Sequence, residues 1–236
     1  MHWVILIPPT EIGYRKLREH IFKHPTRYYL PIPFEVCVKD TVLFYTYIPL
    51  SLVRIWGEIL DLIWNGSNDF EIVCYKNMRN INATIDFSVK MSSLVIKASA
   101  YGKIDLKEWI ELFKNTSLNP PLRSWSGILV LDKYLEYYAL VKNNIRIDRI
   151  IQLGPFIPTP IETLFIVTWR KYMAKEEIKE CDISEIIKYV IEYIRNIVLY
   201  SNEFSTTYAK IIKDKRYLDI IEKCIDIEIL IDDVNY

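Results

Sequence analysis

Glycine and histidine are scarce in this sequence, and their scarcity excludes several common kinds of catalytic site. The 236 residues include six glycines and three histidines. So few glycines provide no glycine-rich loop, and neither a phosphate-binding P-loop nor a dinucleotide fingerprint can be drawn. No serine lies in a G-x-S-x-G elbow, and three histidines leave few routes to a Ser-His-Asp triad. We therefore predict no catalytic residues and no cofactor, and we do not expect an enzyme.

Net charge and long apolar runs are lacking as well. Thirty basic side chains balance thirty acidic ones, so the whole chain offers no strong field to a polyanion, although a local patch survives such cancellation. The first apolar run, Trp3–Ile7, stops at two prolines and is too short for a signal peptide. No run approaches the ~18 residues of a membrane span. We expect a cytoplasmic protein without a membrane partner.

The four cysteines stand singly, at positions 37, 74, 181 and 224. None forms a C-x-x-C pair, which argues against a zinc knuckle or a thioredoxin-like motif. We interpret them as small buried hydrophobic residues in a reducing compartment. Gln152 is the only glutamine, and little glutamine beside abundant Lys and Glu is a thermophile tendency. An AT-rich genome would produce a similar bias.

The first 75 residues alternate between strand and helix patterns. Period-two apolar patterns and proline or glycine breaks predict the elements in the order β-α-β-β-α-β. The predicted strands are His2–Ile7, Phe34–Lys39, Val42–Ile48 and Phe70–Tyr75, and the predicted helices are Thr10–Lys23 and Pro49–Trp64. This is the order of a ferredoxin-like split βαβ unit, in which two helices cover one face of an antiparallel sheet.

Residues 81–154 give a second, less regular set of patterns. Paired strands are predicted at Ala83–Lys90 and Ser93–Ser99, and Asp105 opens a helix with capping-box spacing to Glu108. Strands follow at 127–131 and 145–153, and 133–142 fits either a helix or a strand. We predict an α+β sheet domain over residues 1–154, with candidate sub-units 1–80 and 81–154 that would make the ferredoxin-like region tandem.

A proline-rich boundary at Gly154–Pro160 precedes a helical module over residues 155–236. Three prolines and one glycine in seven residues make a stiff connector. Thr159 is placed to cap the next helix, with Pro160 in its first turn, and Asp182 is placed to cap another. That second helix carries the strongest apolar stripe in the chain.

A helix-turn-helix is our functional hypothesis for this module. A groove-reading helix needs exposed basic and polar residues near its N-terminus. One candidate stretch surrounds Arg195 and Asn196, and the other is the basic segment from Ser205 to Arg216. The predicted nucleic-acid-binding residues are Thr206, Thr207, Lys210, Lys213, Lys215 and Arg216. A plain helical bundle that packs on the sheet, or pairs with a second copy, also explains the apolar stripe.

The sequence therefore favours a DNA-binding protein of the transcription-regulator type, with an N-terminal sensing or dimerisation domain. Duplex DNA and a second copy of the chain are the expected partners. One alternative is an RNA-binding protein with tandem ferredoxin-like units, and another is a structural or interaction protein without nucleic acid. His20 and His24, four apart on a predicted helix, have no third ligand nearby, so no metal site is predicted.

Overall fold

The computed structural model describes residues 2–38, 50–66, 69–76, 81–114, 117–178, 180–196 and 204–226. Within these ranges the chain forms a mixed α/β fold with five strands and ten α-helices. The strands are β1 (His2–Leu6), β2 (Arg27–Pro33), β3 (Glu71–Lys76), β4 (Gly127–Leu131) and β5 (Arg149–Gln152). The helices are α1 (Glu11–Lys23), α2 (Phe34–Cys37), α3 (Leu50–Asn65), α4 (Ile81–Tyr101), α5 (Leu106–Phe113), α6 (Tyr134–Lys142), α7 (Pro160–Thr168), α8 (Ile183–Arg195), α9 (Phe204–Ile211) and α10 (Lys215–Cys224). A π-helical turn, Trp169–Met173, continues α7.

The five strands form one parallel sheet in the order β3-β2-β4-β1-β5. The predicted ferredoxin-like arrangement is wrong, because that unit requires an antiparallel sheet. Strands β1 and β4 are almost continuously apolar, with the sequences HWVIL and GILVL. Such runs are typical of parallel strands that are buried on both faces, and Val4–Ile7 and Leu129–Leu131 are fully buried.

The error arose at β2 and in the segment after it. No strand was predicted at Arg27–Pro33, which forms β2. Residues 34–37, predicted as the start of a half-buried strand, form helix α2. The predicted strand Val42–Ile48 lies outside the described residues. The chain reaches β3 through α2 and α3, and a helical crossover of this kind joins parallel strands, whereas a tight turn joins antiparallel ones.

The strand pair predicted at 83–90 and 93–99 is also wrong, and with it the tandem arrangement. These residues form one helix, α4, of 21 residues. The β-branched residues of this segment favoured a strand prediction. In the helix their exposure differs, since Val89 and Ile96 are 63% and 68% exposed while Val95 is buried. Packing along a helical face therefore overrides the local β preference in this segment.

The predicted helix N-caps are confirmed. Thr10 accepts a hydrogen bond from the Gly13 amide, Asp105 from two amides, and Asp182 from the Ser184 amide. Thr159 and Glu162 form a complete capping box, with Pro160 in the first turn. Each cap satisfies an amide that the helix itself leaves without a partner, which explains why these positions could be read from the sequence.

Two compact units share the described residues. The sheet unit takes its residues from Met1–Arg79 and Asn119–Ile157, and the helical unit from Asn80–Leu118 and Pro158–Ile229. The division after Ile157 falls inside the proline-rich boundary, but α4 and α5 belong to the helical unit. In the sheet unit α1 packs on α3, and in the helical unit α7 packs on α8. None of the described helices has the length and apolar content to cross a membrane.

The cysteines are paired, contrary to our interpretation of them as separate thiols. Cys37 forms a disulfide with Cys74 inside the sheet unit, and Cys181 with Cys224 inside the helical unit. The partners are 37 and 43 residues apart in the sequence. Such separations carry no signal of pairing, because connectivity depends on the tertiary fold.

Candidate functional site

Helices α9 and α10 are joined by only three residues, Ile212, Lys213 and Asp214. The Asp214 carboxylate accepts hydrogen bonds from the amides of Arg216 at 3.0 Å and Tyr217 at 3.2 Å, so α10 begins directly after the turn. A connection of three or four residues between two helices is typical of helix-turn-helix motifs.

One side of α10 is fixed by polar and covalent contacts. The Tyr217 hydroxyl donates to the Pro158 carbonyl at 2.9 Å and lies 2.7 Å from the Thr163 hydroxyl. At the other end of the helix, the Arg170 guanidinium donates to the Cys224 carbonyl at 2.6 Å, and Cys224 is held by its disulfide. The helix is therefore anchored in its first turn, at Tyr217, and at its C-terminus, while Lys215 and Arg216 at its start stay exposed.

Five of the six predicted nucleic-acid-binding residues lie on the surface of this helix pair. The exposed residues are Thr206, Lys210, Lys213, Lys215 and Arg216. Thr207 is only 2% exposed, so its side chain belongs to the interior of the helical unit. The alternative stretch at Arg195 and Asn196 lies at the end of α8, beside a groove of ≈ 380 Å³.

The four basic side chains near the turn are not neutralised by the described part of the chain. No described residue forms an ion pair with Lys210, Lys213, Lys215 or Arg216. By contrast, Arg170 of the same unit pairs with Glu176 at 2.6 Å. These features together form a cationic surface, which we call the turn surface, defined by Lys210, Lys213, Lys215 and Arg216.

A second group of charged residues lies at the carboxyl edge of the sheet, where the strands end. Lys76 ends β3, Asp132 follows β4, and Glu136 lies in the first turn of α6. The Lys76 ammonium lies 3.3 Å from Asp132 and 3.0 Å from Glu136. The Tyr14 hydroxyl donates to Asp132 at 2.9 Å, and the Tyr75 hydroxyl donates to Glu136 at 2.9 Å. We call these five residues the edge network.

Mutual neutralisation dominates the electrostatics of the edge network. Burial acts to lower the pKa of Lys76, but the charges of Asp132 and Glu136 and their hydrogen bonds outweigh it and raise that pKa. Burial, followed by the nearby carboxylates, raises the pKa of Tyr14 and of Tyr75 far above their ordinary values. Every charged or phenolic group of the edge network therefore has a partner within the network. The network joins the ends of β3 and β4, and it contains no free acid, base or nucleophile.

Sequence reasoning missed the edge network, although one signal pointed to it. Asp132 directly follows the buried run of β4, and Lys76 ends β3. The carboxyl ends of parallel strands meet at one edge of a sheet, where polar residues from distant parts of the chain come together. The prediction assigned Lys76 and Asp132 to different candidate sub-units, 1–80 and 81–154, and so separated the two residues.

His20 and His24, for which no metal site was predicted, lie side by side at the end of α1. The two rings lie on the last turns of α1, with centroids 4.6 Å apart. No group of three or more His, Cys, Asp or Glu side chains among the described residues is arranged to hold a metal ion.

Comparison of the chain with protein-family models, curated proteins and solved structures finds no match.

Proposed function

We propose that the chain is a DNA-binding protein of the regulatory type, which contacts duplex DNA through the turn surface. The observation that carries this proposal is the three-residue junction of α9 and α10, with four exposed basic side chains that no described carboxylate neutralises. Lys and Arg side chains that are free of internal partners contribute to DNA affinity, because they replace counterions on the phosphates.

The anchoring of α10 supports the same proposal. A helix that enters the major groove contacts base edges with its N-terminal residues, so its orientation must be fixed from behind. Tyr217 and Cys224 fix the buried side of α10, and Lys215 and Arg216 form its exposed first turn. Asp219 and Glu222, further along α10, are exposed and acidic, so contact with phosphates is favoured at the start of the helix.

The proposal includes a homodimer, because helix-turn-helix proteins commonly read two half-sites with two copies. We further propose that the sheet unit has the sensing role expected from the sequence. We do not propose the RNA-binding alternative, because it depended on tandem ferredoxin-like sheets and the sheet is parallel.

The test is duplex DNA binding by the full chain, measured by fluorescence anisotropy over a range of salt concentrations. The triple variant Lys213→Ala, Lys215→Ala, Arg216→Ala is expected to bind at least tenfold more weakly at low salt. Loss of three phosphate contacts should reduce the slope of log K against log salt by about 2–3.

The matched control removes three other exposed lysines of the helical unit, with Lys90→Ala, Lys103→Ala and Lys107→Ala in one chain. Both triple variants lower the net charge equally, so a general electrostatic effect would weaken binding equally in both. Equal weakening, or no retention of duplex DNA by the wild-type chain at low salt, would refute the proposal. Stronger binding of single-stranded RNA than of duplex DNA would also contradict it.

A further inference from the structure

A cavity of ≈ 500 Å³ opens on the face of the sheet unit that α1 covers. Its floor is a row of side chains in register on three neighbouring strands, since Trp3 of β1 lies opposite Ile128 of β4 and Arg149 of β5. Its wall is formed by His20 and His24, at the end of α1. Helix α1 leads the chain from β1 to β2 across β4.

The lining of this cavity is positive or neutral. Among the described residues one arginine and two histidines line it, and no carboxylate does. The other described lining residues are Trp3, Pro25, Thr26, Gly127, Ile128 and Ile151. The neighbouring carboxylate, Asp148, is engaged elsewhere, with the His2 amide at 2.7 Å and Arg146 at 2.7 Å. No described residue forms an ion pair with Arg149. The Arg149 charge is therefore available to a ligand.

The positive groups are also close enough to act on each other. Burial lowers the pKa of His20, and the charges of His24, Lys23 and Arg149 lower it further. This repulsion has no internal counterion in the cavity, and an anion bound between the imidazoles and the guanidinium would relieve it. Guanidinium groups bind carboxylate and phosphate oxygens through two parallel hydrogen bonds, and a phosphate group has further oxygens for the two imidazoles.

The remaining lining is apolar and partly flat. The Arg149 guanidinium lies 4.9 Å from the centre of the Trp3 ring, and Ile128 and Ile151 form the adjacent floor. A cavity of this volume falls within the range of small-molecule sites, and it is larger than a bare phosphate ion requires. An apolar surface beside a guanidinium and two imidazoles fits a ligand that carries both a ring and an anionic group.

We propose that this cavity binds a small phosphate monoester of a flat ring, of the size of a nucleoside monophosphate. The phosphate contacts Arg149, His20 and His24, and the ring packs on Ile128, Ile151 and Pro25. The inference goes beyond DNA binding and does not depend on it, because each residue that it uses belongs to the sheet unit.

The test is calorimetric titration of the full chain, without DNA, with AMP, inorganic phosphate and adenosine in turn. AMP is expected to bind at least tenfold more tightly than either of the other two, since it alone supplies both the phosphate and the ring. Equal affinity for AMP and phosphate would overturn the inference, and so would failure of AMP to bind.

The residue-level test is Arg149→Ala, which is expected to weaken AMP binding at least tenfold, with Arg149→Lys intermediate because it keeps the charge. The control is Arg123→Ala, an exposed arginine of the same unit that does not line the cavity. Circular dichroism and thermal melting establish that each variant is folded. Equal loss of affinity in Arg149→Ala and Arg123→Ala would overturn the assignment. The titration contains no DNA, so its failure would leave the proposal for the turn surface untouched.

Discussion

The two units of this protein use their polar residues in different ways. In the sheet unit, the edge network buries one ammonium, two carboxylates and two phenols against each other. In the helical unit, buried polar contacts are made by hydroxyls and caps, as in the Tyr217 contacts and the Thr159–Glu162 capping box, together with the Arg170–Glu176 ion pair. The basic residues near the α9–α10 turn stay exposed.

This difference separates charges that stabilise the fold from charges that are available to a partner. Removing one member of a buried ion pair strongly destabilises the fold, because the other charge stays buried without a partner. An exposed lysine without a partner contributes little to stability, so its replacement changes binding with little effect on folding. The following predictions test this division, from the largest expected effect to the smallest.

Replacing Lys76 with Met is expected to lower the free energy of unfolding by about 3–5 kcal/mol, because it leaves Asp132 and Glu136 facing each other without a cation. Urea denaturation followed by circular dichroism measures the change. The matched control is Lys97→Met, which breaks an exposed ion pair with Glu108, 2.6 Å long, and should cost less than about 1 kcal/mol. Similar losses in both variants would show that the edge network is not a special stabilising element.

Removing either disulfide is expected to destabilise the protein by about 2–4 kcal/mol, through the larger conformational entropy of the unfolded chain. The two closed loops have similar lengths, with separations of 37 and 43 residues, so Cys37→Ser and Cys181→Ser should have similar effects. Thermal melting with and without a reducing agent gives the comparison. If the reducing agent shifts the wild-type chain but neither variant, the two disulfides do not contribute independently.

Replacing Tyr217 with Phe is expected to cost about 1–2 kcal/mol, because the Pro158 carbonyl and the Thr163 hydroxyl lose a buried partner. Chemical denaturation measures it, and Tyr101→Phe, at a side chain that is 76% exposed, should be neutral. Since Tyr217 anchors α10, the same variant should also weaken DNA binding. Unchanged binding in a destabilised variant would separate the anchoring of α10 from recognition.

Lowering the pH from 7.5 to 5.5 should destabilise the sheet unit slightly through His20. The pKa of His20 is lowered in the folded state by burial and by His24, Lys23 and Arg149, so the unfolded chain binds the proton more readily. The contribution of His20 is therefore present above the unfolded pKa of about 6.5 and decreases as the pH falls below it. Solvent screening keeps it to about a few tenths of a kcal/mol.

Comparing the melting temperatures of the wild-type chain and His20→Asn at the two pH values isolates this contribution. A smaller pH dependence in His20→Asn is expected. Saturating AMP should offset the loss at low pH in the wild-type chain, because the bound phosphate favours protonated imidazoles. An equal pH dependence in both chains would assign the effect to other groups.

Local patterns in the sequence determined several helix starts and the strands β1, β3, β4 and β5, but not β2. Thr10, Asp105, Thr159 and Asp182 were identifiable as caps because capping depends on residues within one turn. The basic segment that ends at Arg216 was also visible, since it is contiguous in the chain. Its exposure and the three-residue turn became known only with the structure.

The tertiary structure alone decided which elements lie together. Parallel pairing, the two disulfides, the edge network and the cavity all join residues that are far apart in the chain. Lys76 and Asp132, for example, are 56 residues apart and meet because parallel strands end at one edge. Local propensity carries no information about these long-range contacts, because they depend on the order of the strands in the sheet.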